Sequence, residues 1–365
     1  MRKFAQNLWT QLFATLVLAT TFAKAEGPSW QVEWEKTLSA AETEGTVSVY
    51  GQARHPVSAA IQAFTKFHPK IKLNFVGAPG SELGHRIMAE KRAGKHLVDV
   101  AIGGSGTQVQ VYHKAGFLEP LSAAFVLPEV RDETAWWGKK HHYADPDRRH
   151  VFIMEGSVTT RMGAYNSELV KVGEIKSWWD LLDPKWKSKI VMTSPKVSGN
   201  IQSWVFIYVS PDLGPKFLSK LLGEMDVTFS ASERQMMDWL ATGRYPIHLM
   251  AKPDNVQQAK EQALPVELLF SEKEAGSVSS GSGHISFFKD APHPNAAKVY
   301  VNWMLSKEGQ LMWQKIAGYN SLRMDIPKSM VNESELPRQG KQYIITSQHL
   351  DAVKPVRKLI NQLLP

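Results

Sequence analysis

Apolar residues along the first third of the chain occur in short runs that alternate with segments of helical spacing. Three runs have the composition of buried strands, namely residues 47–50, 71–76 and 97–102. Between the first two runs, Val57, Ile61 and Phe64 are spaced by four and three residues, which predicts one apolar face of a helix. Because strands that alternate with helices form parallel β-α-β units, this part of the chain predicts an open α/β sheet.

The same alternation resumes after residue 160 and predicts a second α/β set. Strands are expected at 161–165, 189–192, 226–229 and 246–250, and helices at 166–172, 177–182, 201–209, 215–222 and 233–242. A stretch of small residues, 277–284, has the composition of a linker and precedes a short apolar strand at 285–288. Two α/β lobes, joined by chain crossings near 150–160 and 276–285, would leave a cleft between them.

Residues 1–25 have the pattern of a cleavable secretory signal. Arg2 and Lys3 supply the positive start, and an apolar run follows at residues 12–23. That run is about 12 residues long, whereas a helix that spans a membrane needs about 20. The alternative is an amphipathic first helix. We expect cleavage after Ala25 and export to the periplasm of a Gram-negative bacterium.

The amino-acid composition excludes several kinds of functional site. The 365 residues are 43% hydrophobic, enough for real cores, and include no cysteine. Disulfides, thiolate metal sites, iron–sulfur clusters and a cysteine nucleophile are therefore excluded. Removal of residues 1–25 takes away three basic residues and leaves 40 basic against 35 acidic ones, a net charge of +5. This mild charge is compatible with an anionic ligand and does not predict a nucleic-acid partner.

The sequence contains no assembled catalytic motif. The loop 103–107 lacks the last glycine of a nucleophile elbow, the Gly-Lys-Ser/Thr of a phosphate loop and the third glycine of a dinucleotide fingerprint. One charged loop carries His141, His142, Asp145, Asp147 and His150. It is either a surface metal site or a solvated loop, and we favour the solvated loop. We predict no catalytic residue, no metal ligand and no cofactor.

Polar loops of small residues follow the predicted strands of both lobes. They lie at 51–55, 103–107, 157–161, 194–200 and 251–254. In open α/β sheets, ligands bind beyond the carboxyl ends of the strands. Loops that lead into helices also present free backbone N–H groups, which suit an anion. Glycine and serine can also simply form turns, but five loops at equivalent positions favour a protein that binds a ligand in its cleft.

Several stretches resemble the periplasmic solute-binding proteins of ABC importers, in the branch that contains the bacterial ferric-binding proteins. They are residues 45–50, 177–187 with Ile190, 198–199, 292–297, 303–310 and 321–325. The resemblance covers nearly the whole mature chain. It implies the type II periplasmic binding protein fold, in which two α/β lobes with two crossover strands close on a ligand.

The resemblance also implies how the chain is divided and what it contacts. After the signal peptide at 1–25, we expect lobe 1 at 26–155, lobe 2 at 156–276, a return to lobe 1 at 277–318, and a C-terminal segment, 319–365, packed on lobe 2. The expected partners are a small solute and the permease and ATPase of an ABC importer, with the protein itself a monomer. A sensory receptor that hands its ligand to a membrane kinase would share this fold.

The loops depart from the ferric-binding proteins. Those proteins hold iron with two adjacent tyrosines about ten residues beyond the glycine that matches Gly243, and here these positions are Pro253 and Asp254. His55 is a possible counterpart of their histidine ligand, whereas the expected acidic ligand is replaced by the neutral region around Ser105. Ferric iron prefers anionic oxygen ligands, so this set is a poor iron site.

The loop at Ser198, Gly199 and Asn200 matches the one that, in the iron binders, cradles the accompanying anion. We therefore predict a small solute that carries phosphate or carboxylate. The candidate ligand-binding residues are Arg54, His55, Ser105, Thr107, Arg161, Ser198, Gly199, Asn200, Lys252 and Asp254. The alternatives are ferric iron carried with a supplied anion and, from a different class, a secreted hydrolase or lyase.

Overall fold

The computed structural model describes residues 30–195, 201–331 and 333–364. Its strands are β1 (Thr46–Gly51), β2 (Lys72–Gly77), β3 (Val100–Gly103), β4 (Leu118–Glu119), β5 (Phe152–Ile153), β6 (Ser157–Thr159), β7 (Arg161–Asn166), β8 (Ile190–Thr193), β9 (Thr228–Ser230), β10 (Ile247–Leu249), β11 (Val266–Phe270), β12 (Gly276–Ser279), β13 (His284–Phe288) and β14 (Tyr343–Ile345). Its α-helices are α1 (Trp30–Glu44), α2 (Val57–Gln62), α3 (Gly80–Arg92), α4 (Ser105–Thr107), α5 (Pro128–Arg131), α6 (Ile201–Val209), α7 (Gly214–Glu224), α8 (Glu233–Ala241), α9 (Pro253–Glu261), α10 (Pro294–Leu305), α11 (Lys307–Ala317) and α12 (Val353–Leu363).

The first large sheet has the strand order β2-β1-β3-β13-β4, and β5 also pairs with β13. Strands β1, β2 and β3 are parallel, and β13 runs antiparallel to β3 with His284 opposite Gly103. Helix α10 packs behind this sheet, and its residues from Val299 to Leu305 are all buried. The predicted α/β sheet of the first part of the chain is confirmed.

The second large sheet has the order β11-β7-β10-β8-β9. Strands β8, β9 and β10 are parallel, whereas β7 runs antiparallel to β10. Helix α12 covers helices α6 and α7 of this half and buries Val356 and Ile360 there. The molecule is therefore an α/β protein with mixed sheets in two lobes, as predicted.

A third, smaller sheet, β14-β12-β6, lies where the chain crosses between the two large sheets. Strand β6 pairs antiparallel with β12, so Thr159 lies opposite Ser277. The expectation of a linker at 277–284 was wrong, since most of β12 lies within it. Gly276, the first residue of β12, has no room for a side chain, because a Cβ there would lie 2.6 Å from the Tyr343 ring and 2.7 Å from the Thr159 carbonyl oxygen.

The signal peptide predicted at 1–25 lies outside the described residues. Among the helices that the structure does describe, none has both the length and the apolar content that crossing a membrane requires. The lobe boundaries at 155, 276 and 318 stay predictions.

Candidate functional site

A short connection joins the carboxyl edges of the two large sheets. Strand β5 ends at Ile153 and β7 begins at Arg161, with only β6 between them. Arg161 lies beside the carboxyl end of β10, since the Met250 amide donates to the Met162 carbonyl across the antiparallel pair. Ligands of open α/β sheets bind at such edges. The residues at these two edges and on the crossing strands therefore form the candidate site.

Arg54, His55 and Ser105 lie at the edge of the first sheet. Arg54 and His55 follow β1 and are exposed. The Arg54 guanidinium donates a hydrogen bond to the Tyr319 hydroxyl. Ser105 is buried at the start of α4, directly beyond β3.

Thr107 is placed differently from the other candidates on this edge. A Cβ at Gly80 would lie 2.9 Å from Thr107 Oγ1, and one at Gly84 would lie 3.2 Å from its methyl carbon. Its side chain thus packs against helix α3, where the two glycines allow close approach. The geometry gives Thr107 a packing contact and leaves its predicted contact with the solute untested.

Glu155, which the sequence analysis did not single out, is a buried carboxyl group at this edge. The Trp313 Nε1–H donates to its Oε2 at 2.7 Å. Burial raises the pKa of Glu155 to about 8, although the Trp313 donor, the nearby backbone N–H groups of Gly283 and Ser282, and the charge of Arg54 act to lower it. The Glu155 carboxyl therefore keeps its proton to a higher pH than an exposed glutamate does.

Arg161 is the central cation at the edge of the second sheet. It begins β7 and is partly buried. Among the described residues, no side-chain hydrogen bond or salt bridge within 4.0 Å involves its guanidinium. Burial lowers the pKa of Arg161, while the more distant carboxylates of Glu335 and Asp254 act to raise it. Arg161 thus keeps its charge without a paired carboxylate, which is costly for a partly buried ion.

Arg161 lines a cavity of about 130 Å³ between the third sheet and helix α6. Three lining side chains are apolar: Trp178, Phe206 and Met250. The other lining residues are polar and mostly carry hydroxyl groups: Thr159, Gln202, Ser203, Ser277, Ser279 and Thr346. The Gln202 Oε1 is buried and has no hydrogen-bond partner in the described part of the chain. One guanidinium among hydroxyl and amide groups suits an anion or a highly hydroxylated ligand.

The start of helix α6 borders this cavity through Gln202 and Ser203. The first four backbone N–H groups of an α-helix have no partner within the helix, so the same turn offers further donors. The predicted anion cradle at Ser198, Gly199 and Asn200 immediately precedes this turn and lies outside the described residues. Its role stays a prediction.

Lys252 and Asp254 lie at the same edge as Arg161 but do not line the cavity. Lys252 is the exposed residue before α9, and its Nζ lies 3.8 Å from Glu233 Oε1. Asp254 is exposed in the first turn of α9. The structure therefore gathers Arg161, Lys252 and Asp254 at one sheet edge and places Arg54, His55 and Ser105 at the other.

All nine tyrosines lie in the described part of the chain, and none lines the cavity. Tyr50 donates to Glu90 Oε1 at 3.1 Å, and its pKa is raised to about 12 by burial and the neighbouring carboxylate. Tyr319 reaches the cleft edge, but its hydroxyl accepts from Arg54. A guanidinium beside a phenol repels a ferric ion. The described residues therefore place no pair of phenolate ligands in this cavity.

Comparison with known proteins shows which family shares this architecture. An uncharacterized protein of Haemophilus influenzae is 25% identical over 283 residues, which are 75% of this chain and 77% of that protein. The structure of FutA (IdiA) from Trichodesmium in complex with iron and citrate superposes with a TM-score of 0.62 and 20% identity, over 87% of this chain and 99% of FutA.

The periplasmic binding protein AfuA from Actinobacillus pleuropneumoniae, with fructose-6-phosphate bound, is similar as well. It gives a TM-score of 0.54 and 20% identity over 87% of this chain and 97% of AfuA. These likenesses confirm the predicted periplasmic binding protein fold. The family described as bacterial extracellular solute-binding protein matches residues 50–311. The chain belongs to this family of non-catalytic solute-binding components of ABC transporters, as its sequence motifs predicted.

Proposed function

We propose that this solute-binding protein captures a small anionic solute that carries phosphate or carboxylate, with Arg161 as the principal cation. The observation that carries the proposal is the position of Arg161. Its partly buried guanidinium lines a cavity rich in hydroxyl groups and has no paired carboxylate among the described residues. An anionic ligand would supply the missing negative partner, and its binding would offset the cost of keeping this charge partly buried.

The chemistry of the cavity supports an oxyanion. A guanidinium presents several N–H donors in a planar fork that matches two oxygens of a carboxylate or phosphate. The hydroxyl groups of Ser203, Ser277 and Ser279 and the Gln202 amide can donate further hydrogen bonds. Hydrogen bonds between charged groups are roughly twice as strong as those between neutral groups.

Two relatives carry anions of this kind in their solved structures, citrate in FutA and fructose-6-phosphate in AfuA. The first was solved with iron as well, and the tyrosine positions argue against iron here. The described residues supply no tyrosine to the cavity, and Pro253 opens helix α9 where the iron binders carry their pair. We therefore place the anion, rather than a metal, at the centre of the function.

Capture would proceed by closure of the two lobes, 26–155 with 277–318 and 156–276, about the crossing strands β6 and β12. Arg54 on the opposite edge would then complete a clamp on the anion, together with Ser198, Gly199 and Asn200, which precede α6 in the chain. The mature protein, cleaved after Ala25, would act as a periplasmic monomer that delivers the solute to its permease and ATPase.

Calorimetric titration with citrate, fructose 6-phosphate and spermidine tests the proposal. We expect at least one of the two anions to bind and spermidine not to bind. Arg161→Gln should weaken binding of that anion by at least about thirtyfold, since losing one arm of a desolvated charge pair costs roughly 2–5 kcal/mol.

Arg244→Gln is the matched control, because Arg244 precedes β10 at the end away from the cavity and its guanidinium stacks over Trp239 at 4.7 Å. The control should bind within about threefold of wild type, about 0.65 kcal/mol. Binding by Arg161→Gln within the same threefold, or tight binding of spermidine alone, would overturn the proposal.

A further inference from the structure

We propose that His113, Asp145, Asp147 and His150 form a second site, which binds a divalent transition metal such as Zn²⁺ outside the solute cleft. Three of these residues lie in the charged loop for which the sequence favoured a solvated surface, whereas His113 lies on a separate helical segment. The structure brings His113 to the loop and completes a set of two imidazoles and two carboxylates.

The geometry of the four side chains fits a single small ion. His113 Nε2 lies 2.9 Å from Asp147 Oδ2 and 3.9 Å from Asp145 Oδ2. His150 Nδ1 lies 3.2 Å from Asp145 Oδ2 and 3.8 Å from Asp147 Oδ2. One ligand atom from each residue lies within 4.8 Å of all the others. Tetrahedral zinc with bonds of about 2.0–2.1 Å spaces its ligand atoms about 3.4 Å apart, so small side-chain shifts would seat the ion.

The local fold holds these ligands in place. Asp145 is fully buried, and its carboxylate accepts from the backbone N–H groups of Arg149, His150 and Val151 at 3.2, 3.0 and 2.8 Å. These bonds fix the carboxylate while leaving Oδ2 directed at both imidazoles. Such backbone donors orient a metal ligand in the same way as the outer-shell partners of known sites.

The donor set selects the class of metal. Two imidazoles and two carboxylates suit zinc and its neighbours in the first transition row, whereas Mg²⁺ and Ca²⁺ prefer oxygen ligands alone. Two carboxylates also balance the charge of a divalent ion when both histidines are neutral. Asp147 is half exposed, so the ion could enter from solvent.

The position separates this site from the solute cavity. His150 precedes β5, and β5 runs parallel to β3 because both pair antiparallel with β13. The cluster therefore lies toward the amino ends of these strands, while the solute cavity lies beyond the carboxyl ends. His113 ends the π-helical turn Gln108–His113, so a bound metal would fasten the loop 145–150 to this helical segment.

Titration of the purified full chain, without a histidine tag, with Co²⁺ and Zn²⁺ tests the proposal. We expect one metal ion per chain to remain after desalting, and Co²⁺ to develop the visible bands of a tetrahedral centre. His113→Gln and Asp147→Asn should each lower metal affinity by at least about tenfold. Both variants should keep the wild-type circular dichroism spectrum, because neither side chain is fully buried.

His96→Gln is the matched control, since His96 Nδ1 lies 3.9 Å from Asp290 Oδ2 in an exposed pair of the same lobe. This variant should bind metal as wild type does. Failure of the wild-type protein to retain Co²⁺ or Zn²⁺ after desalting would overturn the proposal. So would metal that both folded variants retain as tightly as wild type, because that result would place the ion elsewhere, such as the cleft.

Discussion

Glu155 and Trp313 are joined by a hydrogen bond of 2.7 Å between the indole Nε1–H and the carboxyl Oε2, although 158 residues separate them in the chain. Trp313 is fully buried in helix α11, and Glu155 follows β5 at the first crossing. A Cβ on Gly281 would lie 2.6 Å from Glu155 Oε1. One carboxyl group thus packs both crossings of the chain against the core of the first lobe.

Stability should depend on pH through Glu155. Its pKa is raised from 4.5 to about 8 by burial. The contribution of such a group is fully present below pH 4.5 and is lost as the pH rises through 8. Between pH 5 and pH 9, the free energy of unfolding of wild type should therefore fall relative to that of Glu155→Gln, by on the order of a few kcal/mol. Urea unfolding of both proteins at the two pH values measures this difference.

Glu272→Gln is the control for that experiment. Glu272 is exposed, and its carboxylate makes a long ion pair with Lys176, with 4.0 Å between the carboxylate oxygen and Nζ. This variant should follow the pH profile of wild type. A constant difference in stability between wild type and Glu155→Gln from pH 5 to pH 9 would contradict the raised pKa.

A methyl group at Gly283 should destabilise the protein. An added Cβ would overlap the Glu155 side chain, which has no room to move in the core. We expect Gly283→Ala to cost about 1–3 kcal/mol, the usual range for overpacking. Gly103 is the matched position, since it lies opposite His284, the residue after Gly283, in the β3–β13 pair. An added Cβ on Gly103 would have no atom within 4 Å. Thermal unfolding should show a lower Tm for Gly283→Ala than for Gly103→Ala, and equal values would contradict the packing.

The lobes should close when solute binds. The chain crosses between the large sheets on the short strands β6 and β12, which pair with each other. A ligand that contacts both edges favours the closed form because it binds that form more tightly. Small-angle scattering with the anion that binds in calorimetry should give a smaller radius of gyration than without it. An unchanged radius at saturation would argue against closure.

Ferric iron should give no coloured complex. A phenolate–iron site absorbs visible light, and the cavity is lined by no tyrosine among the described residues. Addition of ferric citrate to the protein should produce no visible charge-transfer band. A tight complex of one iron per chain with such a band would restore the iron assignment.

Much of the fold could be predicted from the sequence because its strands are apolar runs flanked by helical spacing. The third sheet could not, because β12 consists of glycine, serine and valine, a composition typical of a linker, and its parallel partner β14 lies far along the chain. Within the site, Arg161 could be placed from its loop at a strand edge. Chain position alone does not show which way a helical side chain faces, so the packing of Thr107 on α3 was not foreseen.

Long-range contacts set the rest of the site. Glu155 meets Trp313 across 158 residues, and His113 meets Asp147 across 34. Neither pair leaves a local pattern, since each partner taken alone resembles an ordinary core or surface residue. Only tertiary folding shows that the first carboxyl is buried and that the second pair belongs to a cluster of two imidazoles and two carboxylates.

Native mass spectrometry of the protein purified from its own periplasm, followed by identification of the released small molecule, tests the central claim most directly. We predict a molecule that carries phosphate or carboxylate, present at about one per chain and absent from Arg161→Gln prepared in the same way. A released ligand without an acidic group, such as a polyamine or a neutral sugar, would contradict the account.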